Sequence, residues 1–187
     1  MSEKKPQRVV REGRDGDSHV IETARLRLRR FRPEDLDALA ALFADPDVMR
    51  HVADGKPAGR QVAEKAIASI IEHWRRHGFG RWAVADKQTG EFVGYGGLRS
   101  LFDMPEVVYH LATAHWGKGL ATELARASLN YGFAERGFER IVAIAKPGNA
   151  ASIHVMEKIG MRFEMPTSYY GIEVVQYAIT SAEFKID

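Results

Sequence analysis

A pair of glycines, Gly117 and Gly119, marks the stretch of the chain best suited to bind a phosphate. Glycine adopts backbone conformations that expose successive amide groups, and the residues that follow begin a helix. A helix N-terminus offers unsatisfied N–H groups and the positive end of the helix dipole. The turn from Gly117 to Thr122 is therefore predicted to bind a phosphate, although a glycine pair alone is also compatible with an ordinary turn.

The elements around this turn predict a strand, a helix and a second strand. Residues 106–111 alternate in side-chain direction, so that Glu106, Val108 and His110 share one face. An amphipathic helix is predicted from Gly119 to about Arg136, and residues 138–145 are typical of a buried strand. A crossover of this kind makes its two strands parallel. The glycine turn is thus expected at the end of a parallel strand.

The remaining patterns predict a mixed α/β domain. Three glycines at 94, 96 and 97 indicate a bulge or a close backbone approach, because no helix follows them as a nucleotide-binding fingerprint would require. The other predicted elements are a strand within 20–31, a helix over 33–44, a loop over 45–59, a helix over 62–77, a hairpin of 81–86 and 91–101, a short helix over 150–159, and a final hairpin of about 161–165 and 173–180.

Composition narrows the class of protein. The 187 residues, 45% of them hydrophobic, predict one domain over residues 19–187 after a flexible, polar tail over residues 1–18. The chain has no cysteine, which excludes disulfides and thiolate metal sites and makes a cytoplasmic setting the expectation. Interspersed charges with a net value of +2 argue against a nucleic-acid surface, and no apolar run is long enough for a membrane helix.

One histidine pair has the spacing of a possible metal site. His73 and His77 are four residues apart on one helix face, but no third ligand at suitable spacing accompanies them. A capping or surface role is the expected one, and no metal is predicted.

Two sequence blocks in a fixed order carry a family resemblance. Residues 116–123 (WGKGLATE) are followed about thirty residues later by residues 149–161 (NAASIHVMEKIGM). Together they resemble the GCN5-related N-acetyltransferase (GNAT) superfamily, and they are similar to the branch with the bacterial ribosomal-protein-alanine N-acetyltransferases. The resemblance runs from about Val20 to the end of the chain. One departure is Ala114, where the family's glycine motif has glutamine or arginine.

The resemblance implies a mixed, splayed sheet of about seven strands flanked by about four helices. Acetyl-coenzyme A (acetyl-CoA) would lie in the V-shaped opening beside the strand that ends at Leu111, its pyrophosphate on the glycine turn and its pantetheine arm along the strand edge. The residues expected to bind it are Leu111, Thr113, Trp116, Gly117, Lys118, Gly119, Leu120, Ala121, Thr122, Asn149 and Ser152.

Acetyl transfer to an amine requires a neutral nitrogen and a way to receive the thiolate. Glu106 is the candidate base, acting through water, and a simple strand-end charge is the alternative. Many relatives protonate the thiolate with a tyrosine at the position that Met156 occupies here. Ser152 is the candidate to hydrogen-bond the sulfur, unless it is only structural. Tyr109 points away from Glu106 and is expected in the core.

The acceptor is expected to enter opposite the donor. Its predicted contacts are His110, Tyr169 and Tyr170, together with the loop over 45–59, whose acids at 45, 47 and 54 either attract a cationic amine or serve solubility. His110 could equally be an ordinary half-buried histidine.

The sequence thus predicts an acetyl-CoA-dependent N-acetyltransferase that works by direct attack in a ternary complex. A peptide N-terminus is favoured as acceptor over a small-molecule amine. The expected assembly is a monomer or a homodimer, with no nucleic-acid or membrane partner. The alternative is a non-catalytic acyl-CoA-binding sensor or assembly module.

Overall fold

The computed structural model describes residues 8–10 and 20–185, in which nine strands form a single sheet in the order β1-β2-β3-β4-β5-β6-β7-β9-β8. The strands are β1 Arg8–Val10, β2 Val20–Glu22, β3 Leu26–Arg29, β4 Arg81–Asp86, β5 Phe92–Leu101, β6 Met104–Leu111, β7 Arg140–Ala145, β8 Arg162–Tyr169 and β9 Ile172–Thr180. The α-helices are α1 Leu36–Ala44, α2 Pro46–Met49, α3 Arg60–His77, α4 Leu120–Asn130 and α5 Ala150–Lys158.

The centre of the sheet is opened between β6 and β7. These two strands are parallel and share a single register pair, Glu106 with Val142, whereas every other neighbouring pair is antiparallel. The register between β6 and β7 includes no other pair, so most of each strand is unpaired along this edge. The predicted mixed, splayed sheet is therefore confirmed, but the described residues form nine strands and five α-helices where about seven and about four were expected.

Helices cover both faces of the sheet. On one face, called the α1 face, α1 packs against α3 and places Phe43 edge-on to Tyr95 of β5, with 6.0 Å between ring centroids. On the other face, called the α4 face, α4 lies on β5 and β6. The approach is close: a Cβ on Gly96 would lie 2.7 Å from Leu124 Cδ2 and 2.6 Å from the carbonyl oxygen of Val108. The close approach predicted for this group of glycines is therefore confirmed at Gly96.

The predicted bulge is also present, where β4 pairs with β5. Val84 pairs with Gly94 and Ala85 pairs with Phe92, so Val93 is the extra residue. The left-handed backbone at Gly94, with φ at 152°, lies at this irregularity.

The helix predicted to reach about Arg136 changes character on the way. It is α-helical to Asn130 and then widens into one π turn over Tyr131–Glu135. The turn brings Gly132 against the sheet, where a Cβ would lie 2.6 Å from Ile141 Cδ1, and it sets Tyr131 against Trp82. Close packing on β7 accounts for a glycine at this position.

Several boundaries differ from the sequence prediction. The strand expected within 20–31 is two strands, because the Thr23 hydroxyl accepts from the Leu26 N–H and closes a turn. The loop over 45–59 contains the single-turn helix α2, which Asp45 caps. Strands β8 and β9 extend to a two-residue tip, Tyr170 and Gly171, both with positive φ, as a type I′ turn requires.

The amino terminus is described only in part. Residues 8–10 of the predicted tail form β1, and the rest of that tail lies outside the described residues. The domain boundary therefore stays a prediction. Over the ranges that the structure covers, no helix has the length and apolar character needed to cross a membrane.

Candidate functional site

The glycine turn has the geometry of an anion site. Gly117 and Gly119 have φ values of 71° and 74°, a region that glycine occupies without strain. Gly119 is the N-cap of α4 and brings no side chain to cap it. The N–H groups of Leu120, Ala121 and Thr122 lie in the first helical turn, where no intrahelical acceptor is available. The turn therefore fits a diphosphate group held by backbone amides.

An ion pair braces this turn from outside. Glu123, in the first turn of α4, accepts from the Thr23 hydroxyl at 2.6 Å and from the Arg25 Nε at 2.7 Å. Arg25 Nη1 also donates to the carbonyl oxygen of Lys118 at 2.8 Å. The turn between β2 and β3 thus fixes the backbone between the two glycines. The sequence pattern gave no signal for Thr23 or Arg25.

Residues just before the glycine turn are held at the end of β6. The half-exposed indole of Trp116 donates to the carbonyl oxygen of Leu111 at 2.8 Å. The Thr113 hydroxyl donates to Asp45 Oδ2 at 3.1 Å. One lone pair of the Leu111 carbonyl is therefore used within the protein, and Thr113 faces the loop over 45–59.

That loop lies across the mouth of the opening. Asp45 meets Thr113 just beyond β6, and a Cβ on Gly55 would lie 3.7 Å from Lys146 Nζ, just beyond β7. The loop's acids have local partners. Asp45 Oδ1 accepts from the N–H of Asp47 at 2.9 Å, and Asp47 pairs with Arg50, while Asp54 accepts from the N–H of Lys56 at 3.2 Å.

A hydroxyl pair joins the two sides of the opening on the α4 face. Tyr109 of β6 donates to the carbonyl oxygen of Ser152 at 3.0 Å, and its hydroxyl lies 3.0 Å from Ser152 Oγ. The Asn149 side chain caps α5 by accepting from the N–H of Ser152 at 3.2 Å. Burial raises the pKa of Tyr109 to about 12, so the phenol stays protonated at neutral pH. Met156 is core, with 1% exposure.

A charged cluster lies on the α1 face of β4, β5 and β6. It consists of Arg81, Tyr95, Arg99, Glu106 and His110, which the register of the three strands brings side by side. Glu106 pairs directly with Arg99, whose Nε donates to Glu106 Oε2 at 2.5 Å. The Glu106 side chain is 2% exposed and that of Arg99 31%. Burial raises the pKa of Glu106, against the opposing effect of Arg99 and Arg81.

His110 completes the cluster as a neutral imidazole. Its ring stacks on Tyr95, with centroids 4.8 Å apart, and its Nδ1 is buried without a hydrogen-bond partner in the described structure. Burial, with Arg99 and Arg81 nearby, lowers the pKa of His110 to about 3. Glu106 and His110 share a face, as the strand pattern predicts.

Aromatic side chains from two hairpin tips stand together near this cluster. Phe102, at the tip between β5 and β6, stacks on Tyr169 and on Tyr170, with centroids 5.6 and 5.3 Å apart. Phe102 and Tyr170 are exposed. Burial lowers the pKa of Arg99, but Glu106 and the nearby Tyr170 raise it, and the net shift is upward.

His73 has a structural environment. Its Nδ1 lies 2.8 Å from the carbonyl oxygen of Phe79, and its Nε2 accepts from the N–H of Ser100 at 3.0 Å. Both ring nitrogens are thus engaged within the fold. Over residues 20–185, no group of three acidic or histidine side chains is arranged to hold a metal ion.

Sequence reasoning located the turn and one face of β6 but missed three members of the charged cluster. Arg81, Tyr95 and Arg99 lie on strands that were predicted, yet nothing in a single strand identifies the face it shares with its neighbours. One signal was available, because arginine at 99 interrupts an otherwise apolar, glycine-rich strand. Tyr109 was expected in the core, and it is half-buried with a hydrogen-bonded hydroxyl.

Comparison with known proteins agrees with this architecture. The family model described as an acetyltransferase (GNAT) domain matches residues 25–162. Uncharacterized protein YkkB of Bacillus subtilis is 41% identical over 146 residues, covering 75% of this chain and 84% of that protein. Uncharacterized N-acetyltransferase YoaA of the same organism is 28% identical, covering 78% of this chain and 84% of its own.

Solved structures share the fold over most of the chain. An acetyltransferase of the GNAT family from Bacillus anthracis superposes with a TM-score of 0.77 at 27% identity, covering 88% of this chain and 99% of its own. A ribosomal L7/L12 α-N-protein acetyltransferase in complex with coenzyme A has a TM-score of 0.71 at 19% identity, covering 86% and 97%. The latter likeness is one of fold. The chain is a member of the GNAT acetyltransferase family and an N-acetyltransferase.

Proposed function

We propose that the protein transfers an acetyl group from acetyl-CoA to a primary amine by direct attack in a ternary complex. The observation that carries this proposal is the splayed pair β6 and β7 with a positive-φ glycine turn at its end. Acetyl-CoA supplies the acetyl group as a thioester. The protein's own part is to bind and orient the two substrates, to accept the amine proton and to stabilise the leaving thiolate.

The donor site is built mostly of backbone. The amides of residues 117–122 and the α4 dipole bind the pyrophosphate, and the diverging edge of β6 up to Leu111 and Thr113 lies beside the pantetheine arm. Trp116 and Lys118 flank the turn with exposed side chains. Asn149 contributes by holding the first turn of α5 and Ser152 in place.

Glu106 is the proposed base on the acceptor side. Its pKa is raised by burial, which makes it a stronger proton acceptor than an exposed carboxylate. An α-amino group has a reference pKa of about 7.7–8.0, so it needs less help to become neutral than a lysine does. Arg99 holds the carboxylate in one orientation, and a water molecule would relay the proton. His110, Tyr169 and Tyr170 are the proposed acceptor contacts.

The hydroxyl pair on the α4 face is proposed to stabilise the leaving thiolate by hydrogen bonding. Ser152 Oγ and the Tyr109 hydroxyl are 3.0 Å apart and bridge the opening where the thioester would lie. A phenol with a pKa of about 12 is protonated and able to donate. This pair replaces the side chain that Met156 cannot supply.

The acceptor and its setting stay predictions. A peptide N-terminus is the first choice and a small-molecule amine the second. The monomer or homodimer expected from the sequence is to be checked by sedimentation. A cytoplasmic location, expected for a cysteine-free chain, is to be checked by cell fractionation.

A direct test combines calorimetry with a thiol-release assay. The purified full chain should bind acetyl-CoA and release coenzyme A with at least one amine in a panel of N-terminal peptides and small amines, with product mass raised by one acetyl group. Tight binding without turnover on any amine would instead favour a sensor or assembly module. Absence of both would overturn the proposal.

A further inference from the structure

The charged cluster on the α1 face has an unbalanced charge. Arg81 and Arg99 carry two positive charges, since arginine stays protonated in proteins, and Glu106 carries at most one negative charge. His110 is neutral, because its pKa is about 3. A mostly buried group of side chains thus holds at least one surplus positive charge.

Arg81 is the source of that surplus. Glu106 forms its ion pair with Arg99, and among residues 20–185 no acidic side chain lies within ion-pair distance of Arg81. Burial lowers the pKa of Arg81, while Glu106 and Tyr95 only partly offset this. Removing a charge from water without a partner is costly, so an anion that reached Arg81 would be stabilised.

A second, independent feature also indicates a missing partner. The buried Nδ1 of His110 has no hydrogen-bond partner in the described structure, although nearly all buried polar atoms in proteins have one. Neutral imidazole donates from one nitrogen and accepts at the other. His110 is therefore free to donate a hydrogen bond to an acceptor group within the cluster.

The positive groups face the open side of the cluster. Arg99 is 31% exposed while its partner Glu106 is 2% exposed, so the carboxylate lies beneath the guanidinium. Arg81, Val108 and His110 are also partly exposed, although they lie in the middle of a central sheet. A ligand entering from this side would meet the arginines before the acid.

The loop acids that could attract a cationic acceptor are held in local contacts. Asp45 caps α2 and accepts from Thr113, Asp47 pairs with Arg50, and Asp54 closes its own turn. None of these contacts includes a member of the charged cluster, in which the cationic groups are Arg81 and Arg99.

We propose that the acceptor is a primary amine that also carries an anionic group, a carboxylate above all, which binds Arg81 with His110 beside it. The inference rests on the proposed function and adds the substrate class. Two sources offer this chemistry: free amino acids, and peptides whose residue near the N-terminus is acidic. Polycationic amines are the class it excludes.

The test uses acceptors that differ only in charge. Glycine, β-alanine and 4-aminobutyrate would each be compared with its carboxamide, and N-terminal peptides with Glu at position 2 would be compared with their Gln counterparts. At least one acid should exceed its amide by tenfold or more in kcat/KM. The amide has the more readily neutral amine, so basicity alone would produce the opposite order. The class that shows this preference, free amino acids or acidic peptides, is the source of the natural acceptor.

The matched variants are Arg81→Gln and Arg27→Gln, the latter an exposed arginine on β3 of the same sheet. Arg81→Gln should reduce the acid-to-amide ratio of kcat/KM to near one. Its affinity for coenzyme A should stay unchanged, and this also shows that the variant is folded. Arg27→Gln should keep the ratio. Preference for amides or spermidine, or an unchanged ratio in Arg81→Gln, would overturn the inference.

A binding measurement separates this inference from the proposed function. The complex with coenzyme A would be titrated calorimetrically with the same acids and amides. If no amine is acetylated but an acid binds and its amide does not, the anion site stands and the transfer reaction fails. Equal binding of acids and amides, or none, would overturn the anion site as well.

Discussion

The two proposed substrate regions of this protein are built from different kinds of group. The donor turn uses glycine backbone and a helix N-terminus, braced by Arg25 and Glu123 at its outer side. The proposed acceptor face uses charged, mostly buried side chains from three strands, with Arg81 and Glu106 at its ends. Backbone groups bind a feature common to every acyl-CoA, whereas side chains can change without loss of the fold. On this proposal the donor region carries what the family shares, and the acceptor face carries selectivity.

The sharpest separation of the two regions is expected from Glu106→Gln. Loss of a general base lowers turnover by about 10²- to 10⁴-fold, whereas the donor turn is untouched. Coenzyme A affinity, measured by calorimetry, should stay the same while kcat falls. Equal losses in affinity and turnover would mean that Glu106 supports the fold rather than the reaction.

The same variant has a signature in the pH profile. Burial raises the pKa of Glu106 above its ordinary value, and a base works only when deprotonated, so activity should rise as pH rises through that pKa. The amine must lose a proton as well. Below the pKa values of Glu106 and of the amine, a plot of log kcat/KM against pH should have a slope of about two in the wild type and about one in Glu106→Gln. A slope that is the same in both proteins would contradict the assignment.

The donor region is broken most directly by Gly119→Val. A β-branched residue in the left-handed conformation costs about 1–3 kcal/mol, which corresponds to about 5- to 150-fold in coenzyme A affinity if the turn shifts. Gly137→Val is the matched control, since Gly137 has φ at 66° and open space around it at the far end of the same helix. Both variants should lose similar stability, but only Gly119→Val should lose affinity.

A smaller effect is expected where the two regions meet. Tyr109→Phe removes one hydroxyl of the pair with Ser152, and a net hydrogen bond of about 1 kcal/mol corresponds to about fivefold in kcat. Ser152→Ala should act similarly, and the double variant should lose less than the product of the two. Independent, multiplicative losses would indicate that the two hydroxyls do not act as a pair.

The smallest effect is expected for the outer brace. Arg25→Gln removes a half-exposed ion pair of about 0.2–1 kcal/mol, so coenzyme A affinity should fall about 1.5- to fivefold. Glu123→Gln should give a comparable loss, and a double-mutant cycle should show coupling between them. If kcat/KM for the acceptor falls more than the affinity for coenzyme A, Arg25 and Glu123 do not belong to the donor region.

The sequence predicted the elements of the proposed donor region well because they are consecutive. The strand to Leu111, the glycine turn and the helix from Leu120 follow one another, so their spacing alone fixes their geometry. The acceptor face depends on the register between β4, β5 and β6. Arg99 meets Glu106 across a hairpin whose two-residue tip, Phe102 and Asp103, takes positive φ without a glycine. No local pattern signals such a turn.

The central claim is that backbone amides of the glycine turn bind the donor. Amide NMR spectra of the ¹⁵N-labelled protein, recorded during titration with coenzyme A, test it most directly. We expect the amides of residues 117–122 to show the largest downfield proton shifts, and the amides beside Arg81 and Glu106 to change little. The largest shifts at the charged cluster, with none at the turn, would contradict the account.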